Sequence, residues 1–233
     1  MTDQKVTAVL VAAGSGSRMG LSSPKQYQLI GDKTMLERSL DALLAEPRIE
    51  KVIVVISPTD IVGQELSFED PRVEIARVGG RIRAESVKNG ITYAAIASSD
   101  WVLVHDAARP CLLPSDLKKL IDFCLENDKG AILAVPLNDT LKQEGPGETI
   151  KKTIPRTGLW CAQTPQCFKN GELLKALEQA GAEVTDEASA MEAAGYKPAI
   201  IEGTPTNIKV TRPMDLWMAK AIFQAREKGF IYD

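Results

Sequence analysis

The chain has 233 residues, 44% of them hydrophobic and 25% charged, a balance that excludes a disordered or fibrous protein. Its 28 basic and 31 acidic residues leave a formal charge of -3 with no long run of one sign. General attraction to nucleic acid or to an anionic membrane is therefore excluded, and any polyanion must meet a local site. No apolar stretch approaches the ~20 residues of a spanning helix. The polar start from Met1 to Lys5 lacks the basic region and cleavage site of a secretory signal, so a cytoplasmic location is expected.

Short β-branched apolar runs at Val6 to Ala12, Lys51 to Ile56, Val73 to Val78, Trp101 to His105, Ala131 to Pro136 and Ala199 to Glu202 read as strands, several of them covered on both faces. Helical patterns lie between them. Leu36, Leu40, Leu43 and Leu44 share one face, Val87, Ile91, Ala94 and Ala95 another, and Leu117, Leu120, Ile121 and Cys124 a third. Strand and helix alternate, which predicts an α/β fold: one Rossmann-like domain whose mostly parallel, twisted sheet is flanked by helices. Function belongs at the edge formed by the strand C-termini.

The pattern changes after Pro136. Thr140 to Gln143 and Glu148 to Thr153 alternate around the turn signal Glu144-Gly145-Pro146-Gly147, so residues 137–157 read as a projecting β-hairpin arm. Isolated hairpins are marginal in water, and the simplest cover for this one is the same arm of a second chain, giving a homodimer. Helices follow at Lys169 to Ala180, Thr185 to Ala194 and Pro213 to Lys228. No linker separates a second unit, so a single domain spans 1–233.

The first strand runs into Ala12-Ala13-Gly14-Ser15-Gly16-Ser17-Arg18-Met19-Gly20, then Pro24-Lys25-Gln26-Tyr27. Glycines at a strand end suit close approach to phosphate. A dinucleotide fingerprint from Gly14 needs glycine where Met19 stands, and a P-loop needs glycine and lysine where Met19 and Gly20 stand, so both fail. What remains is an open glycine loop with two cations, Arg18 and Lys25, able to converge on a triphosphate; a solvated surface loop is the competing reading.

Two further strand ends reach the same edge. Gly79 and Gly80 expose backbone groups to a flat base, and Ser86, opening a helix, either offers it a hydroxyl or is the N-terminal cap after a plain turn. After the fourth strand come Asp106, Ala107 and Arg109, where the acid and the arginine either pair with each other or face a ligand. Asn207 to Thr211 reads as a short strand-like piece carrying Lys209, an unpaired cation, to that edge. Arg18, Lys25 and Lys209, with no thiol, serine triad or histidine base among them, point to chemistry that stabilises charge without removing protons: phosphoryl or nucleotidyl transfer. A phosphate monoester, with a second pKa of about 6, attacks as a dianion and needs no base.

His105 reads as a hydrogen-bonded core residue, and Trp101, Trp160 and Trp217 as packing residues. Cys111, Cys124, Cys161 and Cys167 form no CxxC pair and read as reduced structural thiols; with one histidine there is no zinc set.

Taken in order, Ala12 to Met19, Pro24 to Tyr27, Gly79-Gly80 with Ser86-Val87, and Val104 to Pro110 closely resemble the 2-C-methyl-D-erythritol 4-phosphate cytidylyltransferase family. Asp139 to Lys142, Arg156 with Leu159-Trp160, Gln163 to Gln166, Thr185 to Ser189 and Asn207 to Thr211 continue the match in register. The resemblance implies an enzyme of the non-mevalonate isoprenoid pathway that joins CTP to methylerythritol phosphate, releasing pyrophosphate, with Mg2+ held mainly by the CTP phosphates and Asp106 as a candidate helper. It implies that Arg18 and Lys25 stabilise the α-phosphorus, that Ala12, Ala13, Gly14, Ser15 and Gly16 cradle the triphosphate, that Gly79, Gly80 and Ser86 meet cytosine, and that Ala107 meets the ribose. Lys209 and Arg156 would hold the substrate phosphate, and Asp106, Arg109 and Thr185 its polyol. Thr140 and Arg156 would reach the partner chain's site. One position departs: the residue after Gly80, often acidic in that family, is Arg81. The rival readings are a ribitol 5-phosphate cytidylyltransferase and a nucleotide-binding regulator without the reaction.

Overall fold

The structure is a computed structural model, and it describes residues 5–14, 24–180 and 184–230. The chain opens with β1 (Val6–Val11), then a small hairpin, β2 (Leu29–Ile30) and β3 (Lys33–Thr34), that leads into α1 (Met35–Leu44). Thr34 starts that helix with a reciprocal cap: its hydroxyl accepts from the Glu37 N–H while the Glu37 carboxylate accepts from the Thr34 N–H. β4 (Ile49–Val55), β5 (Val73–Ala76), α2 (Arg83–Ala94), β6 (Trp101–Asp106), α3 (Pro114–Asn127) and β7 (Ala131–Pro136) follow. Then come β8 (Leu141–Glu144), β9 (Ile150–Ile154), β10 (Trp160–Lys169), α4 (Asn170–Gln179), α5 (Glu187–Ala193), β11 (Ala199–Glu202) and α6 (Pro213–Glu227).

Seven strands form one sheet in the order β11-β7-β10-β6-β1-β4-β5. All neighbours run parallel except β10, which is antiparallel to both β6 and β7. Because side chains alternate across a strand, Val6, Ala8 and Leu10 of β1 and Trp101 and Leu103 of β6 face α1 and α3. Val9, Val102 and Val104 face the opposite layer, built by α2, α4 and α5. Strands buried on both faces are what continuous Val/Ile/Leu runs encode. A third, smaller cluster seats α6 through Ala219, with Leu216, Ile222 and Phe223, on Ala108, Cys111 and Val210.

The mostly parallel α/β architecture agrees with expectation, and so does a separate two-stranded sheet of β8 and β9 within 137–157. Its strands begin slightly later than the pattern suggested, so Thr140 stands just before β8. The turn between them places Gly147 at φ 68°, a left-handed conformation that glycine adopts without strain. Every residue of β8 is exposed, as are four of the five of β9.

Three readings need correction. The strand β10 was missed because Pro165 and the polar Gln163, Thr164 and Gln166 argue against a central strand. The structure accommodates them at a register shift between Ala162 and Gln166 and gives the buried side chains partners. Conversely, Asn207 to Thr211 joins no sheet; the piece is tied down by Val210, whose N–H donates to the Ala108 carbonyl at 2.8 Å. Among the tryptophans only Trp101 is core; Trp160 and Trp217 are 39% and 70% exposed.

Candidate active site

The ends of β1 and β6 lie side by side, with the Ala107 N–H donating to the Val11 carbonyl at 3.0 Å. Above them opens a cavity of about 210 Å³ lined by Ala12, Ala13, Gly14, Lys25, Gly80, Ser86, Asp106, Ala107 and Lys209, among others. Gly79 lies behind its wall, where a Cβ would stand 2.5 Å from the Ala13 Cβ and 2.8 Å from the Ile56 carbonyl oxygen. Only glycine lets the chain pass there. The turn beyond is closed by Ser86, whose hydroxyl accepts from the Gly80 N–H at 3.0 Å and donates to the Ile82 carbonyl at 3.2 Å. Ser86 is not the helix cap the sequence suggested: α2 starts at Arg83 after Ile82, which puts Ser86 within the helix with its hydroxyl bonded to the turn. Arg81 points outward, its N–H held by Glu85 at 2.7 Å.

Lys25 is placed by its neighbours. The buried Gln26 donates to the Ala12 carbonyl at 2.8 Å and Tyr27 donates to Asp60 at 2.7 Å, which pins the short 3-10 turn Lys25–Tyr27 against the strand ends. The ammonium of Lys25 then reaches the Val210 carbonyl at 2.7 Å, next door to Lys209. Arg18, Ser15 and Gly16 lie outside the described residues.

A second cavity, of about 230 Å³, adjoins the first and shares Arg83, Asp106 and Lys209 with it; Arg109, Gln163, Thr164 and Thr185 complete much of its wall. Asp106 does not pair with Arg109, as one reading had it. One of its oxygens accepts from the Arg83 Nε at 2.7 Å and the other from the Lys209 ammonium at 2.6 Å, so Lys209 is not unpaired either. Burial alone would raise the Asp106 carboxyl, but the Arg83 and Lys209 cations beside it hold it well below the usual carboxylate range. Arg109 donates instead to the carbonyls of Asn207 and Ala162, and its buried Nε has no partner among the described residues. Thr140 and Arg156 are exposed on and beside the arm and line neither cavity of their own chain.

Sequence reasoning missed Arg83 and Glu187. Arg83 is the first residue of α2, where a cation opposes the helix dipole and so needs an acid nearby, but nothing local names that acid. It is Glu187, 104 residues away, at 2.6 and 3.0 Å.

His105 is fully buried and both ring nitrogens are used. The Thr164 hydroxyl accepts from the Asp106 N–H at 3.1 Å and donates to Nδ1 at 3.0 Å, which leaves the proton on Nε2 facing the Arg109 carbonyl at 3.2 Å. Burial pushes this imidazole down to about 4 from 6.5. Between those values the unfolded chain binds a proton that the native chain refuses, so stability is full above pH 6.5 and falls on acidification. The loss by pH 4 is up to about 3 kcal/mol. Urea unfolding at pH 7 and pH 4.5 measures it, and His105→Gln should flatten the slope; an unchanged slope would assign the loss to other groups. The Asp106 contribution is lost only at lower pH, below the ordinary value of 3.8.

As a place for Mg2+, the first cavity has one lining carboxylate, Asp106, and no cluster of three His, Cys, Asp or Glu side chains occurs among the described residues. A hard cation that keeps most of its ligands on substrate phosphates fits such a donor set.

Cations meeting at the junction of two adjoining cavities, on the C-terminal edge of a parallel sheet and with the nearby imidazole locked, suit the joining of two phosphate-bearing molecules. That is the work of a nucleotidyltransferase. A protein-family model for 2-C-methyl-D-erythritol 4-phosphate cytidylyltransferase matches residues 6–225, and the chain belongs to that family. A relative of that name from Laribacter hongkongensis is 48% identical over 95% of this chain and 97% of its own. Another from Serratia proteamaculans is 50% identical over 92% of each. Among solved structures, a 4-diphosphocytidyl-2C-methyl-D-erythritol synthase superposes with a TM-score of 0.82 at 39% identity, covering 94% of this chain and 99% of that one. The Thermus thermophilus cytidylyltransferase gives 0.79 at 29%, covering 95% and 100%.

Proposed function

We propose that the glycine-lined cavity takes CTP and its neighbour takes the polyol phosphate, so that the two anions meet beside Lys209. As a member of its family the chain is an enzyme that joins CTP to 2-C-methyl-D-erythritol 4-phosphate, giving 4-diphosphocytidyl-2-C-methyl-D-erythritol in isoprenoid precursor biosynthesis. The observation that carries the assignment of the cavities is that Arg83, Asp106 and Lys209 line both.

In this reading Ala12, Ala13, Gly14, Ser15 and Gly16 follow the triphosphate, the Gly79-Gly80 turn shaped by Ser86 meets cytosine, and Ala107 meets the ribose. An oxygen of the substrate phosphate, already ionised, bonds to the α-phosphorus; the bond from that phosphorus to the bridging oxygen breaks, and pyrophosphate leaves with the electron pair. Arg18, Lys25 and Lys209 stabilise the added negative charge on the α-phosphoryl oxygens. Lys209 and Arg156 hold the attacking phosphate, while Arg109, with its unused buried Nε, Thr185 and Asp106 take the polyol hydroxyls. Mg2+, when bound, neutralises triphosphate charge, and Asp106 is the side chain that would help the nucleotide hold it.

The active form in this reading is a homodimer whose arms exchange, so that Thr140 and Arg156 of one copy serve the site of the other. Exposure of both residues, and of Leu141 and Ile150 at 40% and 65% on the arm, supports it. No described helix is long and apolar enough to cross a membrane. The free thiols of Cys111, Cys124, Cys161 and Cys167 support the cytoplasmic setting.

Pyrophosphate release from CTP with Mg2+, run side by side with methylerythritol phosphate and ribitol 5-phosphate, tests the substrate. Methylerythritol phosphate is expected to be turned over and ribitol phosphate hardly at all; equal rates would overturn the specificity, and no release with either would favour a binding protein.

A further inference from the structure

From the wall between the two cavities a row of alternating charges runs inward, Lys209, Asp106, Arg83 and Glu187, each within 3.0 Å of the next. Its last member is 1% exposed and touches neither cavity. A carboxylate buried this deeply gives up its hydration, and a buried ion pair replaced as a whole by well-packed apolar residues is often as stable or more so, so stability alone does not account for the pair. Helix capping does not explain it: α5 is started by Asp186 and Ser189, which accept each other's backbone N–H groups. Burial opposes the Arg83 charge, and the Glu187 and Asp106 carboxylates overcome that and keep it firmly protonated.

We infer that Glu187 is a positioning residue for the transfer reaction, acting through Arg83 on Asp106 and Lys209. The two Glu187 oxygens accept from both Nη atoms of Arg83, at 2.6 and 3.0 Å, and this end-on grip fixes the guanidinium in the orientation in which its Nε donates to Asp106. Arg83 therefore holds one Asp106 oxygen, and the other remains with Lys209. Without Glu187 the guanidinium is no longer held in that orientation and can turn to take both Asp106 oxygens, the geometry it favours with carboxylates, or swing onto an incoming phosphate. The first move displaces Lys209 from Asp106 and the second leaves Asp106 to Lys209 alone, and either changes the charge at the junction where the two ligands meet. The pair also joins the helix α2, which begins just after the Gly80 turn, to α5, which begins just after Thr185, so one ion pair fixes the two cavities relative to each other.

The inference rests on the assignment of the second cavity to methylerythritol phosphate, and its test is Glu187→Gln in the full-length enzyme, read by pyrophosphate release. The expected result is a fall in kcat of about tenfold or more together with a rise in KM for methylerythritol phosphate of similar size, while KM for CTP changes less than about twofold. In an Arg83→Gln background the same change should add almost nothing, because the intermediary is gone. A variant that only loosens α5 would lower kcat and thermal stability with both KM values unchanged, and would do so equally in either background; that pattern overturns the inference. Should Glu187→Gln fail to fold, Arg83→Lys, which lacks the fork, must show the same selective rise in KM, and a normal value overturns it. Wild-type enzyme inactive with methylerythritol phosphate sinks the substrate reading and this inference with it, whereas active wild type with unaffected variants sinks the inference alone.

Discussion

Lys25→Ala is expected to lower turnover by about a hundredfold or more, the ~3 kcal/mol typical of one lost donor to transition-state charge. The size follows from the poverty of other means: His105 has both nitrogens committed, and the thiols of Cys111, Cys124 and Cys167 are buried. What the site can offer the reaction is positive charge held where negative charge gathers. Lys25 is held well, since Gln26 and Tyr27 anchor its turn to Ala12 and Asp60 and its ammonium lies against the Val210 carbonyl at 2.7 Å. The glycine turns and Ala107 survive the change, so CTP affinity should move far less than kcat. Steady-state kinetics beside calorimetric titration with CTP separates the two, and a loss confined to affinity would remove Lys25 from the transition state.

The second large effect concerns the arm. Arg156→Ala should abolish most activity by weakening the phosphate-bearing substrate, yet Arg156 lies in neither cavity of its own chain. With exchanged arms, mixing inactive Lys25→Ala and inactive Arg156→Ala proteins regenerates working sites. Random assortment makes about half the dimers mixed, each with one intact site of two, so about a quarter of wild-type activity should return. Refolding the two together and following pyrophosphate release at a fixed protein concentration measures it. No recovery after verified exchange of subunits would place Arg156 and Lys25 in sites confined to one chain.

The parts of this protein legible in its sequence are those whose signal is local. Val6 to Ala12 and Trp101 to His105 declare buried strands by unbroken apolar character, and the glycines after β1 and β5 declare close backbone passage. β10 stayed hidden because its polar side chains satisfy groups brought from elsewhere: Thr164 serves His105, and Gln166 binds Asp186 and the Ala188 N–H. Lys209 and Asp106 were both recognisable as site residues, but their ion pair depends on how the segment 207–211 crosses Ala108, which no spacing encodes. Arg83 and Glu187 show the same limit most sharply, since each alone is an ordinary charge at a helix start and only the folded chain makes them a pair.

The strand β10 also sets what can change without harm. It lies antiparallel beside β7, and the two meet again at the arm's root, where the Leu137 N–H donates to the Leu159 carbonyl at 3.0 Å. Everything between those two residues is thus an overgrown loop joining adjacent strands. The turn at its tip, Gly145 to Glu148, can therefore change in length while the sheet keeps its shape, whereas the first cavity, built from the strand ends themselves, has no such freedom.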